Sequence, residues 1–179
     1  MNDINKQRGF TFVEILIVTV ILGILATIAI PALLNAIPSL RLKSSTRDIF
    51  SLLLMAKGEA INRSENITIL FNPGGNNYSA FIDNGTGGGV ANDQIQNGTE
   101  RVIQAQTPLP NGVSFDPTVN ADGVSFANDV VIFSPRGIAF GTGGGLAIGT
   151  ISLRATDNSG NVISRRSITL ASGGRIRMQ

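Results

Sequence analysis

With 179 residues, 42% of them hydrophobic, the chain can bury one sizeable core and has no room for two ordinary domains. It contains no His and no Cys, which excludes histidine-based triads, histidine metal sites, disulfides and thiol chemistry. A formal net charge of +2 gives no global polyelectrolyte character, and 21 Gly beside one Tyr and no Trp predict a loop-rich domain without an aromatic binding platform.

The N-terminal residues Met1–Gly9 are polar, with Lys6 and Arg8 just ahead of an apolar run. No charged residue occurs from Ile15 to Ile30, and apolar character continues through Pro31 to Leu34. The 20 residues from Ile15 to Leu34 match the length at which a helix crosses a ~30 Å hydrocarbon core. Lys6 and Arg8 put the preceding flank on the cytoplasmic side. A secretory signal is the alternative, but its apolar region is usually about 7–15 residues and ends in a small-residue cleavage site. Here the run is longer and passes into an amphipathic segment with no A-x-A site.

Glu14 does not suit an ordinary anchor. A carboxylate costs roughly 2.5–3.5 kcal/mol at the bilayer centre and less near the interface, where it can also stay hydrated. The string around it, Gly9-Phe10-Thr11-Phe12-Val13-Glu14, resembles the processing site of type IV pilins and type II secretion pseudopilins. The resemblance implies cleavage by prepilin peptidase between Gly9 and Phe10 and N-methylation of Phe10. It also makes Glu14 the fifth residue of the mature chain. Pro31 then falls where many members carry a helix-distorting proline, and a kink or local melting is expected there because proline removes a backbone donor and clashes with the preceding turn. Glu14 and Pro31 are the expected assembly residues. In a low-dielectric bundle the new amine of one subunit and the carboxylate of its neighbour neutralise each other, which favours docking in one register.

After Pro38, Leu42, Ile49, Leu53, Ala56 and Ala60 recur at helical spacing, with Arg41, Lys43, Arg47, Asp48 and Glu59 available for the other face. This predicts the amphipathic second half of one long helix, ending near Asn62–Ser64. Strands are expected at Ile67–Phe71, Tyr78–Asp83, Arg101–Gln106, Gly112–Phe115, Val130–Ser134, Gly137–Phe140, Thr150–Ala155 and Val162–Leu170, with a Gly/Asn-rich loop from Asn84 to Gly98. Asp157-Asn158-Ser159-Gly160 makes the last two a hairpin. The fold expected is α+β, a long N-terminal helix packed on an antiparallel sheet. The domain plan is a leader at 1–9, a transmembrane assembly helix at 10–34, its amphipathic continuation at 35–63 and a periplasmic β-rich domain at 64–179.

The helix end Leu53–Arg63, the Phe133-Ser134-Pro135-Arg136-Gly137 run and the terminal Gly174-Arg175-Ile176-Arg177 are similar to the GspH/FimT family of minor pilins. That resemblance implies a structural subunit, not an enzyme. It works without a cofactor and is inserted in the inner membrane with its C-terminal domain in the periplasm. Its implied partners are other pilin or pseudopilin subunits, prepilin peptidase and membrane lipid. Glycine runs at Gly85–Gly89 and Gly141–Gly145 do not complete G-x-G-x-x-G, since Val90 and Leu146 occupy the final positions. Asp83 and Asp93 suggest only a weak calcium loop, because Gly85 and Gly87 stand where ligands are needed.

From Arg136 to Gln179 there are six Arg and one Asp, whereas Phe10–Pro135 has six basic and ten acidic residues. Such a basic terminus either protects a sheet edge or marks an anionic partner. Alternation puts Arg175 and Arg177 on one face of an extended tail. Similar G-R-x-R tails occur in DNA-binding FimT-like subunits, so these two residues are the candidates for DNA binding in the alternative reading, a DNA-capturing minor pilin.

Overall fold

A computed structural model describes residues 10–179, with the side chains of residues 31–35 outside the description. The chain divides into two compact units, Met1–Ile37 and Pro38–Gln179. One helix, α1 (Phe12–Arg63), contributes to both.

In the first unit the described side chains of α1 point outward, and Phe12–Ile30 is long and apolar enough to cross a membrane. Two threonines in this stretch satisfy their hydroxyls internally: Thr19 Oγ1 donates to the carbonyls of Ile15 (3.0 Å) and Leu16 (2.9 Å), and Thr27 Oγ1 to Ile24 (2.7 Å). A hydroxyl bonded back to its own helix needs no water, so these residues remain compatible with lipid.

In the second unit α1 buries one stripe. Leu42, Ile49, Leu53, Ala56 and Ala60, the residues expected from periodicity, are all fully buried. Thr46 joins them by donating its hydroxyl to the Leu42 carbonyl at 2.7 Å. The helix ends at Arg63, and Ser64 adopts a left-handed conformation (φ 57°), the backbone turn that stops a helix.

Nine strands follow among the described residues: β1 Ile67–Asn72, β2 Asn77–Ile82, β3 Val102–Pro108, β4 Val113–Phe115, β5 Val130–Phe133, β6 Ala139–Phe140, β7 Gly149–Thr156, β8 Val162–Ala171 and β9 Arg175–Met178. They form two antiparallel sheets, ordered β3-β2-β1-β5-β6 and β4-β7-β8-β9. The expected α+β arrangement, a long helix packed on an antiparallel β-sheet domain, is present, with its strands divided between two sheets. Alternation along each strand identifies inward residues but carries no record of which strands pair.

The inward residues of both sheets and the helix stripe make a single core. Phe71 of β1 joins the sheets, meeting Phe115 of β4 edge-on at a centroid distance of 6.4 Å and stacking on Phe126 at 6.5 Å. The strand expected at Gly137–Phe140 starts two residues later. Gly137 has φ 71°, and its N–H closes a turn onto the Ser134 carbonyl at 2.8 Å. The predicted β7–β8 hairpin is present, with Asp157 Oδ1 accepting the amides of Ser159 (2.9 Å) and Asn161 (2.8 Å).

Candidate functional site

Two regions carry the candidate residues. The first is the start of α1. Thr11 and Glu14 form a reciprocal cap: the Glu14 amide donates to Thr11 Oγ1 at 3.2 Å, and the Thr11 amide donates to Glu14 Oε2 at 3.5 Å. This is the T-x-x-E capping box, which pairs two backbone donors that a helix start leaves without partners. It also places the Glu14 carboxylate at the positive end of the helix dipole, where an anion is favoured. Glu14, expected to act between subunits, thus also caps its own helix, and the signal for that is local: a Thr three residues before a Glu ahead of an apolar run. Phe10 is 81% exposed and Phe12 equally so, and Val13 through Ile30 continue as an uncovered apolar surface. Gly9 lies outside the described residues. Pro31 lies within the span of α1, and its side chain is outside the described set.

The second region is the outward face of the four-stranded sheet. The expected tail at Arg175–Arg177 is extended but not free, since it is strand β9, paired with β8 in the register Ala171↔Arg175 and Thr169↔Arg177. Ile176 packs against the core while Arg175 and Arg177 are exposed on one face, as alternation requires. Partial burial of Ile176 against the core supplies a reason for the pairing. The turn leading into β9 is tied to the helix: Lys57 Nζ donates to the Gly174 carbonyl at 2.9 Å. Gly174 has φ 72°, and a Cβ there would lie 2.6 Å from the Gly137 carbonyl oxygen. The Ser-Pro-Arg-Gly turn, the end of α1 and the turn before β9 therefore meet at one point.

At the other end of this face, Asp116 is fully buried and accepts hydrogen bonds from the Thr118 hydroxyl (2.8 Å), the Thr118 amide (3.2 Å) and Arg165 Nε (2.7 Å). Burial alone would raise its carboxyl, but the Thr118 bonds and the Arg165 guanidinium outweigh it and hold the group below the usual carboxylate range.

The loop between β2 and β3 uses its carboxylates as anchors. Asp83 accepts the amides of Asn92 and Gln94, the latter at 2.8 Å, and Glu100 those of Gly85 (2.8 Å) and Asn97 (3.0 Å). Asp93 is likewise occupied, by the Ile95 amide and the Asn97 side chain. The acidic residues that suggested a calcium loop thus hold the loop's own backbone. No cluster of three or more metal-ligating side chains occurs among the described residues.

Residues 45–174 match the family described as type II transport protein GspH. The chain belongs to the GspH family. Residues 4–30 of this GspH-family chain match the prokaryotic N-terminal methylation motif, a span that includes Gly9, Phe10 and Glu14. Its fold is similar to that of the minor pseudopilin EpsH from the type 2 secretion system of Vibrio cholerae. Two structures of EpsH match, one at TM-score 0.54 and 15% identity, covering 78% of this chain and 96% of that one, the other at 0.50 and 16%, covering 78% and 95%. The type IV minor pilin FimU of Pseudomonas aeruginosa matches at TM-score 0.51 and 15% identity, covering 77% and 87%. No similar sequence was found among curated proteins. Family and fold are those of structural pilin and pseudopilin subunits, which assemble with other subunits of their kind.

Proposed function

We propose that this chain is a prepilin, cut by prepilin peptidase between Gly9 and Phe10 and methylated at Phe10. It spans the inner membrane through the first part of α1 with its β-rich domain in the periplasm. From there it enters a type II secretion pseudopilus or a type IV pilus as a minor subunit. The observation that carries the proposal is the methylation motif over residues 4–30, lying in register with an apolar helix whose side chains are uncovered. Lipid before assembly and neighbouring helices after it cover the same apolar surface, so insertion and assembly use one set of residues. Glu14, held by the Thr11 cap, is available to the Phe10 amine of a neighbour, and Pro31 loosens the helix where subunits pack. N-terminal mass analysis of membrane-extracted protein tests the reading. A methylated start at Phe10, abolished by Gly9→Val without loss of membrane insertion, is expected. A start near Ala32 or beyond would mean ordinary signal peptidase and overturn it.

A second reading, capture of DNA, is favoured by one observation: Arg175 and Arg177 stand exposed side by side on β9. Phosphate contacts supply affinity without reading bases, with a log–log salt slope of about −0.9 per phosphate neutralised. Titrating fluorescent duplex with the full chain should give a slope about two smaller for Arg175→Gln with Arg177→Gln, if each contacts one phosphate. Equal slopes, or no binding at low salt, would assign both arginines to protection of the sheet edge.

A further inference from the structure

Arg154 of β7 and Arg165 of β8 are direct partners in the antiparallel register. Leu153 beside Arg154 and Ile168 three positions beyond Arg165 are buried, so alternation sends both arginines to the outward face. Residues so paired have Cα atoms about 4.5–5.5 Å apart, and like charges in that position destabilise a sheet. Each guanidinium is nevertheless held in place through its Nε: Arg154 donates to Ser114 Oγ at 3.2 Å and Arg165 to Asp116 Oδ2 at 2.7 Å. Ser114 and Asp116 stand two residues apart, so both side chains lie on the same face of the sheet. Among the described residues the terminal guanidinium nitrogens of both arginines make no hydrogen bond. Asp116 therefore pairs with Arg165 alone, while Arg154 lines a neighbouring cleft with Ser114 and Asp122 and, among the described residues, has no carboxylate within 4.0 Å, so its donor fork stays open. Arg165 also lines a cleft of about 270 Å³ together with Arg166, Ser152 and Ser167.

We propose that the Arg154–Arg165 pair is an oxyanion-binding site, taking a phosphate group or a carboxylate. Arginine forks bind such groups through paired, charge-assisted hydrogen bonds. A bound oxyanion would complete an alternating set of two guanidiniums and two anions, converting a repulsive cross-strand pair into an attractive one. A free or ester phosphate and a carboxylate from another protein share this chemistry, and the experiment separates them.

The test is thermal unfolding of the full chain in detergent, titrated with sodium phosphate, sodium acetate or sodium chloride at matched ionic strength. The site predicts a saturable rise in Tm with phosphate, acetate or both, above the chloride response. Phosphate alone would identify a phosphate ligand, and a response to acetate would identify a carboxylate. Arg154→Gln should abolish the rise, and in chloride it should unfold no lower than wild type because the repulsion is gone. Arg154→Lys keeps the charge but loses the fork. It should raise the half-saturating concentration about tenfold, the equivalent of one charge-assisted hydrogen bond. Identical responses to all three salts, or a phosphate response that survives Arg154→Gln, would overturn the proposal.

Discussion

Replacing Asp116 examines how the outward sheet face is held. The carboxylate is fully buried and accepts three hydrogen bonds, two from Thr118 and one from Arg165. Hydrogen bonds to a charged group contribute about 1.5–3 kcal/mol net when truncated. The Arg165 side chain is 56% exposed, so the ion pair itself adds at most ~1 kcal/mol after solvent screening. Asp116→Ala should therefore cost about 3 kcal/mol, a Tm loss of roughly 6–12 °C at 2–4 °C per kcal/mol for a chain of this size. Asp116→Asn keeps an acceptor for Thr118 and loses only the charge facing Arg165, which should cost about 1 kcal/mol. The distinguishing readout is pH. The folded carboxyl is held below its ordinary value, so its stabilisation is fully present above an unfolded Asp pKa of about 3.9 and is lost as pH falls through the folded value. Thermal unfolding followed by circular dichroism should show a constant gap between wild type and Asp116→Asn above about pH 5, closing on further acidification. A gap unchanged down to about pH 2, or Asp116→Asn as stable as wild type at neutral pH, would refute the assignment of stability to this charge.

Asp129 should behave in the opposite sense: burial and the facing Asp122 raise its carboxyl, so its ionisation opposes folding at neutral pH. Asp129→Asn should raise Tm at pH 7, and the gain should fade as pH falls through the raised folded value, where the wild-type group protonates. Gly174→Ala should cost at least about 1–2 kcal/mol from the left-handed backbone alone, before the clash with the Gly137 carbonyl, and urea unfolding measures it. Glu14→Ala should leave the β-domain folded and the chain inserted yet impair incorporation into filaments, which co-purification with other pilin subunits would report. Undiminished incorporation would remove Glu14 from the assembly mechanism.

Much of this molecule is written in local pattern. The motif from Gly9 to Glu14, the apolar run that follows and the stripe Leu42–Ala60 each depend on residues a few positions apart. Helical periodicity and turn chemistry act over that distance, so the helix end at Arg63 and the β7–β8 hairpin are legible in the sequence. Strands β1 to β8 are legible for the same reason, with ends displaced by a residue or two where a turn such as Ser134–Gly137 consumes the expected start, whereas β9 is not.

What the tertiary structure decided is everything that needs a partner far along the chain. The division of nine strands into two sheets rests on pairings such as β1 with β5 and β4 with β7, and inward alternation is satisfied equally well by many such arrangements. Asp83 and Asp93 have the composition of a weak calcium loop in the sequence, but in the fold Asp83 holds the amides of Asn92 and Gln94, nine and eleven positions away, and Asp93 holds the Ile95 amide and the Asn97 side chain. Arg175 and Arg177 are a composition feature in the sequence, but packing of the partly buried Ile176 against the core makes them a paired strand. The facing of Arg154 and Arg165, eleven residues apart, with Asp116 brought beneath one of them from forty-nine residues away, depends on register, and register is set by the whole core at once.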